Sequence, residues 1–321
     1  MRKLLALLGL MVVPALSEAQ ANPNQIAILR WYDGNQAGNN FAVGEAPRGV
    51  AFDGANVWVV NHWGGTVTKL RATDGAVIGT YAAGEGPESV AFDGANIWVT
   101  SGAVGTVTKL RASDGSLVGT YEAGGLSFGL AFDGANIWVT NVTMGTVTKL
   151  RASDGSLIGT YAVPGTPGAV AFDGANVWVV AGGAGAGLIK LRATDGNVMG
   201  IYAMGLYPTS LAFDGVNIWV TTNQNTVAKV RASDGSIIGN YLVGGDDWGL
   251  VTFPEGVAFD GTNVWVACGN GVVTKLRASD GSRVANYVLG DFWRGTGPYR
   301  VAFDGANIWV TITAANSVAK L

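Results

Sequence analysis

Two glutamates, Glu88 and Glu255, stand at the same place in two copies of a repeated unit, three residues before the alanine of an Ala-Phe-Asp-Gly motif. The chain's single histidine, His62, lies in a loop of the first full copy, beside Trp63. Two carboxylates with an imidazole in reach suit a hard divalent cation such as magnesium or calcium. A cation so held supports metal-assisted lyase or hydrolase chemistry. In the other copies the same position is Arg48, Phe128, Gly168, Thr209 and Tyr299. That mixture of signs reads equally as a rim of local ion pairs around a binding site, which needs no cofactor. His62, Glu88 and Glu255 are therefore the candidates for catalysis, and Glu88 and Glu255 the candidates for metal. No nucleophile elbow, zinc spacing, phosphate loop or Ser/His/Asp order accompanies them.

The elements that must position these residues come from the repeat itself. Ala-Phe-Asp-Gly-x-Asn-Ile/Val-Trp-Val occurs seven times, starting at Ala51, Ala91, Ala131, Ala171, Ala212, Ala258 and Ala302. A period near 40 residues with several short strands per unit marks a β-propeller. In the second copy, strands are predicted over 89–92, 96–100, 106–112 and 116–123, with tight turns at Asp93-Gly94 and Asp114-Gly115. Trp98 and its six equivalents point to one face of strand two while Ile97 and Val99 point to the other. Both faces are apolar, so both need cover, and neighbouring blades supply it. Strands this short exclude a transmembrane barrel, whose strands run to about ten residues.

The expected architecture is all-β: a seven-bladed propeller of four-stranded blades over residues 22–321, its last blade closed by strands from both termini. Closure leaves one strand too many. Ile26–Trp31 and Ser317–Leu321 both match strand three, and the sequence does not choose between them. Residues 1–21 read as a secretion signal, with Arg2 and Lys3 before an apolar run and Ala19-Gln20-Ala21 as the cleavage site. A secreted or periplasmic protein without a membrane span after cleavage is expected, and a monomer. One cysteine, Cys268, precludes an internal disulfide. A net charge of −3 gives no electrostatic case for nucleic acid.

Subtracting the scaffold isolates what else might act. Fourteen of the 23 acids sit in Asp-Gly turns, and thirteen of the 20 bases in the Lys-Leu-Arg strand, from which they are expected to run along the blade to solvent and pair with acids. Most remaining charge falls in the loops joining one blade to the next, which open on the same end of a propeller as the strand two–three loops. That end gathers Arg48, Trp63, Glu88, Phe128, Tyr207, Asp246, Asp247, Trp248, Glu255, Trp293, Arg294 and Tyr299. Aromatics mixed with carboxylates suit a carbohydrate, a cationic small molecule or a peptide, and these residues are the expected ligand-binding set.

The blocks Val-Ala-Phe-Asp-Gly-Ala-Asn-Ile-Trp-Val-Thr (90–100) and Thr-Val-Thr-Lys-Leu-Arg-Ala-Ser-Asp-Gly (106–115) resemble the YVTN and NHL class of bacterial propeller repeats and those of streptogramin (virginiamycin B) lyases. The resemblance covers nearly all of the mature chain and rests on scaffold residues. It implies a propeller whose relatives include exported ligand-binding scaffolds and a few metal-dependent enzymes. In the lyases it implies a loop histidine working with glutamates and magnesium. Here no motif carries those residues over one by one. The first reading is thus a secreted scaffold binding a small molecule, glycan or protein partner, which leans away from an enzyme without deciding the point. The alternative is a metal-dependent lyase or lactone hydrolase of the streptogramin lyase or gluconolactonase type.

Overall fold

The computed structural model describes residues 39–183, 185, 187–205, 207–245, 252–290 and 297–321. Seven four-stranded antiparallel sheets make up the fold, with no α-helix among the described residues. Blade one consists of Pro47–Phe52, Asn56–Asn61, Thr66–Arg71 and Val77–Ala82; blade two of Pro87–Phe92, Asn96–Ser101, Thr106–Arg111 and Leu117–Glu122. The remaining blades repeat this order. The first strands of successive blades pack side by side, and that of blade seven (Pro298–Phe303) packs on that of blade one, so the ring closes. This is the expected seven-bladed propeller.

Blade seven settles the surplus strand. Its order is Pro298–Phe303, Ile308–Ile312, Ser317–Lys320 and finally Asn39–Ala42 from the other end of the chain. Ser317–Lys320 therefore fills the strand-three slot; Ile26–Trp31 lies outside the described residues. The physical reason is a lysine. Lys320 lies over the Trp309 ring at 5.4 Å and donates to the carbonyls of Ala72 and Thr73 in blade one. Aligning the Leu-Arg pairs puts Ile28 at that position, and isoleucine has no donor.

The same lysine clamp recurs around the ring and departs from the expectation that these side chains reach solvent. Lys69 is buried, sits 5.1 Å from the Trp58 ring and donates to the Ala112 and Ser113 carbonyls of blade two. Burial next to an aromatic face and two carbonyl oxygens satisfies the ammonium without a carboxylate partner. Only the arginines behave as expected: Arg71 pairs with Asp74 at 2.8 Å, exposed and so of small energetic weight.

Trp58, Trp98, Trp138, Trp178, Trp219 and Trp309 are fully buried, and Trp265 nearly so. Each indole N–H is spent on the aspartate five residues earlier, as in Trp98 Nε1 to Asp93 Oδ2 at 2.7 Å. Asp93 also accepts from the backbone of Ala95 and Asn96 and from the Asn96 amide. The spacing Asp-x-x-Asn-x-Trp thus closes a turn, caps a strand and satisfies a buried indole within six residues. Both oxygens of these turn aspartates are filled by N–H donors, which is structural work. Tyr121 packs on Trp98 at 5.5 Å, and its ring presses on Gly155 of the next blade, where a Cβ would meet it at 2.0 Å. Phe41 takes this role at the closure, 5.6 Å from Trp309 and against Gly75.

Candidate functional site

The central channel is lined by the first strands, and each of these carries an irregularity at the same place. Pro87 pairs with Ser101 and Val90 with Val99, so Glu88 and Ser89 together oppose Thr100 alone. All seven first strands shift register there. A bulge bends the strand and re-aims the side chains on it. Arg48, Glu88, Phe128, Gly168, Thr209, Glu255 and Tyr299 occupy these bulges. They belong to strand one itself, which in blade two starts at Pro87 and not at residue 89 as the motif suggested.

Their end of the molecule is the one expected. His62 N donates to Ala46 O, Gly102 N to Gly86 O and Val142 N to Leu126 O, so strand two–three loops are stitched to inter-blade loops. The Asp-Gly turns are stitched to one another elsewhere, as in Ala112 N to Ala95 O. Trp63 and Tyr207 are exposed on the variable end. Asp246, Asp247, Trp248, Trp293 and Arg294 lie outside the described residues.

Around the rim, neighbouring blades are tied by a threonine relay. Thr100 Oγ1 accepts from Ser89 N and donates to Phe128 O in the next blade, both at 3.0 Å. Thr140 and Thr311 repeat the pattern onto Gly168 O and Arg48 O. Blade one has Val60 at the threonine position, blade four Val180 and blade six Ala267. At the first and last of these, arginines make the tie. Arg48 of blade one pairs with Glu88 of blade two, and Arg300 of blade seven donates to Glu255 O of blade six. The charged ties therefore stand at two of the three seams that lack the threonine.

The result is a charged crescent over blades six, seven, one and two. Glu88 is largely buried; its Oε1 receives Arg48 Nη1, and His62 Nδ1 lies 3.2 Å away, equidistant from Pro87 O. The Tyr299 ring has the Arg300 guanidinium at 4.5 Å and that of Arg48 at 5.9 Å. Burial raises the Glu255 carboxyl above its ordinary range, against the opposing pull of Arg300 and Arg48. Blades three to five complete the rim with Phe128, Gly168 and Thr209, which carry no charge.

Of the sequence candidates for metal, Glu88 is paired with Arg48, while Glu255 meets Arg300 through its backbone carbonyl. Among the described residues no three His, Cys, Asp or Glu side chains gather around a common point. Glu88 Oε1 holds a guanidinium, so a cation bound there would have to displace Arg48. His62 and Glu88, in contrast, are in contact, as a shared site requires. Cys268 is buried, and burial raises its thiol far above the usual range, which leaves it inert.

Below the rim a cavity of 120 Å³ opens on the axis, lined by Glu88, Ser89, Phe128, Gly129, Leu130, Ala169, Val170, Ser210, Leu211 and Arg300. Ser89, Ser210 and Arg300 were not among the residues singled out for binding. Their signal was one position further along the repeat: Gly49, Ser89, Gly129, Ala169, Ser210 and Gly256 are small, and Arg300 alone is large. Smallness has a cause, since a Cβ at Gly256 would meet Tyr299 O at 2.6 Å and Arg300 Cα at 2.8 Å.

Fold and site together define a seven-bladed β-propeller with a polar axial cavity. No family model matches the chain, and no curated protein matches it either. Its likeness is to solved structures. Hydrazine synthase of Kuenenia stuttgartiensis aligns at a TM-score of 0.75 with 17% identity, over 88% of this chain and 96% of that one. A streptogramin B lyase aligns at 0.71, also with 17% identity and the same coverage. Both are seven-bladed propellers, and at this identity the likeness is one of fold.

Proposed function

We propose that this chain is an exported binding scaffold that takes a small molecule, glycan or peptide at the variable end of its propeller. One observation carries the reading. Glu88, Phe128 and Arg300 in the lining of the axial cavity are particular to their own blades, while the lining positions around them repeat with little change. A closed ring with rigid inner strands can hold such differences in place, and concave sites with few convergent polar groups are how proteins commonly take small ligands. The exposed aromatics Trp63 and Tyr207 extend the surface beyond the cavity.

The contact between His62 and Glu88 favours a second reading, a lyase or lactone hydrolase with His62 as general base. Its weakness is that Glu88 Oε1, the oxygen next to His62, is already held by Arg48. Both readings are tested by one screen: thermal shift and calorimetry with glycans, peptides and metabolites, with and without magnesium or calcium. Ligand-induced stabilisation that is lost in Glu88→Gln supports the scaffold. Turnover that needs the metal and vanishes in His62→Ala supports the enzyme. Silence across the whole screen, from a folded protein, would remove both. Export is checked by sequencing the amino terminus of protein recovered outside the cytoplasm, which is expected to begin near Asn22.

A further inference from the structure

The axial cavity is more selective than a generic pocket. It has a carboxylate on one wall, Glu88, and a guanidinium on another, Arg300. The lining also holds the hydroxyl residues Ser89 and Ser210, and the rest of it is apolar, including Phe128, Leu130, Val170 and Leu211. Its 120 Å³ corresponds to roughly four waters at about 30 Å³ each. That is room for a compact head group.

Both charges are held before any ligand arrives. Arg48 and His62 fix Glu88 through Oε1, leaving Oε2 to accept a further donor. Arg300 spends one N–H on Glu255 O and rests on Tyr299, leaving other donors of its fork. A ligand bearing only a cation would leave the free donors of the guanidinium unfilled, and one bearing only an anion would face the buried Glu88 carboxylate. A zwitterion satisfies both.

We propose that this cavity binds the zwitterionic head of a free α-amino acid, its ammonium at Glu88 and its carboxylate at Arg300, with the side chain lying against Phe128 and directed to the variable end. This rests on the reading of the chain as a binding scaffold and names the ligand class for it. A peptide cannot present both charges on one carbon, so free amino acids are the predicted ligands and chain termini are not.

The test is calorimetry on the mature chain with leucine, leucinamide, N-acetyl-leucine, a leucine-containing tripeptide and a neutral oligosaccharide. Leucine is expected to bind, and each analogue lacking one charge to bind about tenfold or more weakly, the cost of a charge-assisted hydrogen bond left unmade. Glu88→Gln and Arg300→Met should each weaken leucine similarly. Because both also cut ties between blades, Ser210→Leu provides a second arm: it fills the cavity, leaves the ion pairs alone and should abolish binding with an unchanged circular dichroism spectrum. Equal affinity for leucine and leucinamide, or leucine binding that survives Ser210→Leu, overturns the proposal. Binding of the oligosaccharide or the tripeptide in preference to leucine also overturns it, while leaving the scaffold reading intact. No binding by any of the five, in a protein that the broader screen also finds silent, overturns both.

Discussion

The two ends of this propeller are made from the same repeat and solve different problems. At the Asp-Gly end the blades do nearly the same thing. In each, an aspartate gathers an indole, an asparagine and two backbone N–H groups. In six of the seven, a lysine also reaches a carbonyl of the next blade. At the other end the seams differ one by one: threonine relays between some blades, an ion pair or an arginine tie between others. Uniformity at one end supplies redundant stability. That redundancy is what permits the other end to depart from the repeat, since a substituted rim link costs one seam and leaves the core clusters between blades untouched.

The sharpest way to break the comparison is to remove a shared indole. Trp178→Ala is expected to lower stability by about 3–5 kcal/mol by opening a cavity in the seam between blades four and five, read as a shift in the urea midpoint. Trp63→Ala at the variable end should stay within about 0.5 kcal/mol, because its ring is already in water. Lys149→Met comes next. It keeps much of the stem's packing and strips the Ala193 carbonyl of its donor, and a loss of about 1–3 kcal/mol is expected.

Acid should separate the two ends by sign. At the repeat end burial alone would raise Asp93, Asp133, Asp173, Asp214, Asp260 and Asp304, yet the N–H donors around them win and hold each below its ordinary 3.8. A depressed folded value means stability that is present above 3.8 and lost as pH falls through the folded values. The melting temperature is therefore expected to drop as pH is taken down through 3.8. Glu255 runs the other way. With a raised folded value, its contribution is present below 4.5 and is lost as pH rises. Glu255→Gln should then stabilise the protein slightly at neutral pH, by under about 1 kcal/mol, and the gain should vanish below 4.5. A loss of stability at neutral pH instead would mean that the Glu255 charge supports the rim through its arginines. The smallest effect belongs to Arg71→Ala, an exposed pair whose removal should leave the melting curve nearly unchanged.

The strand order and the burial of the seven indoles were legible because their causes are local. The Asp-x-x-Asn-x-Trp spacing closes within six residues, and alternation along strand two announces two covered faces. The lysines misled because a Lys-Leu-Arg strand looks amphipathic on its own. Only the neighbouring blade supplies the carbonyls that make burial of Lys69 favourable. The bulges were invisible because no single residue type marks them; Arg48, Phe128 and Gly168 occupy equivalent places. The candidate site was read in part. Glu88, Glu255 and His62 stood out by differing from their repeat mates, while Ser89 and Ser210 did not, being small residues in a row of small residues.

The sequence by itself determined the blade count, the antiparallel meander within each blade and the end at which variation collects. These follow from turn chemistry and hydrophobic period, which act over a few residues. Which strand closes the ring, and which partners neutralise the rim carboxylates, was decided only by the assembled wheel. Lys320 meets Ala72 O across 248 positions of chain and Arg48 meets Glu88 across 40, contacts that exist only once the ring has brought its seams together.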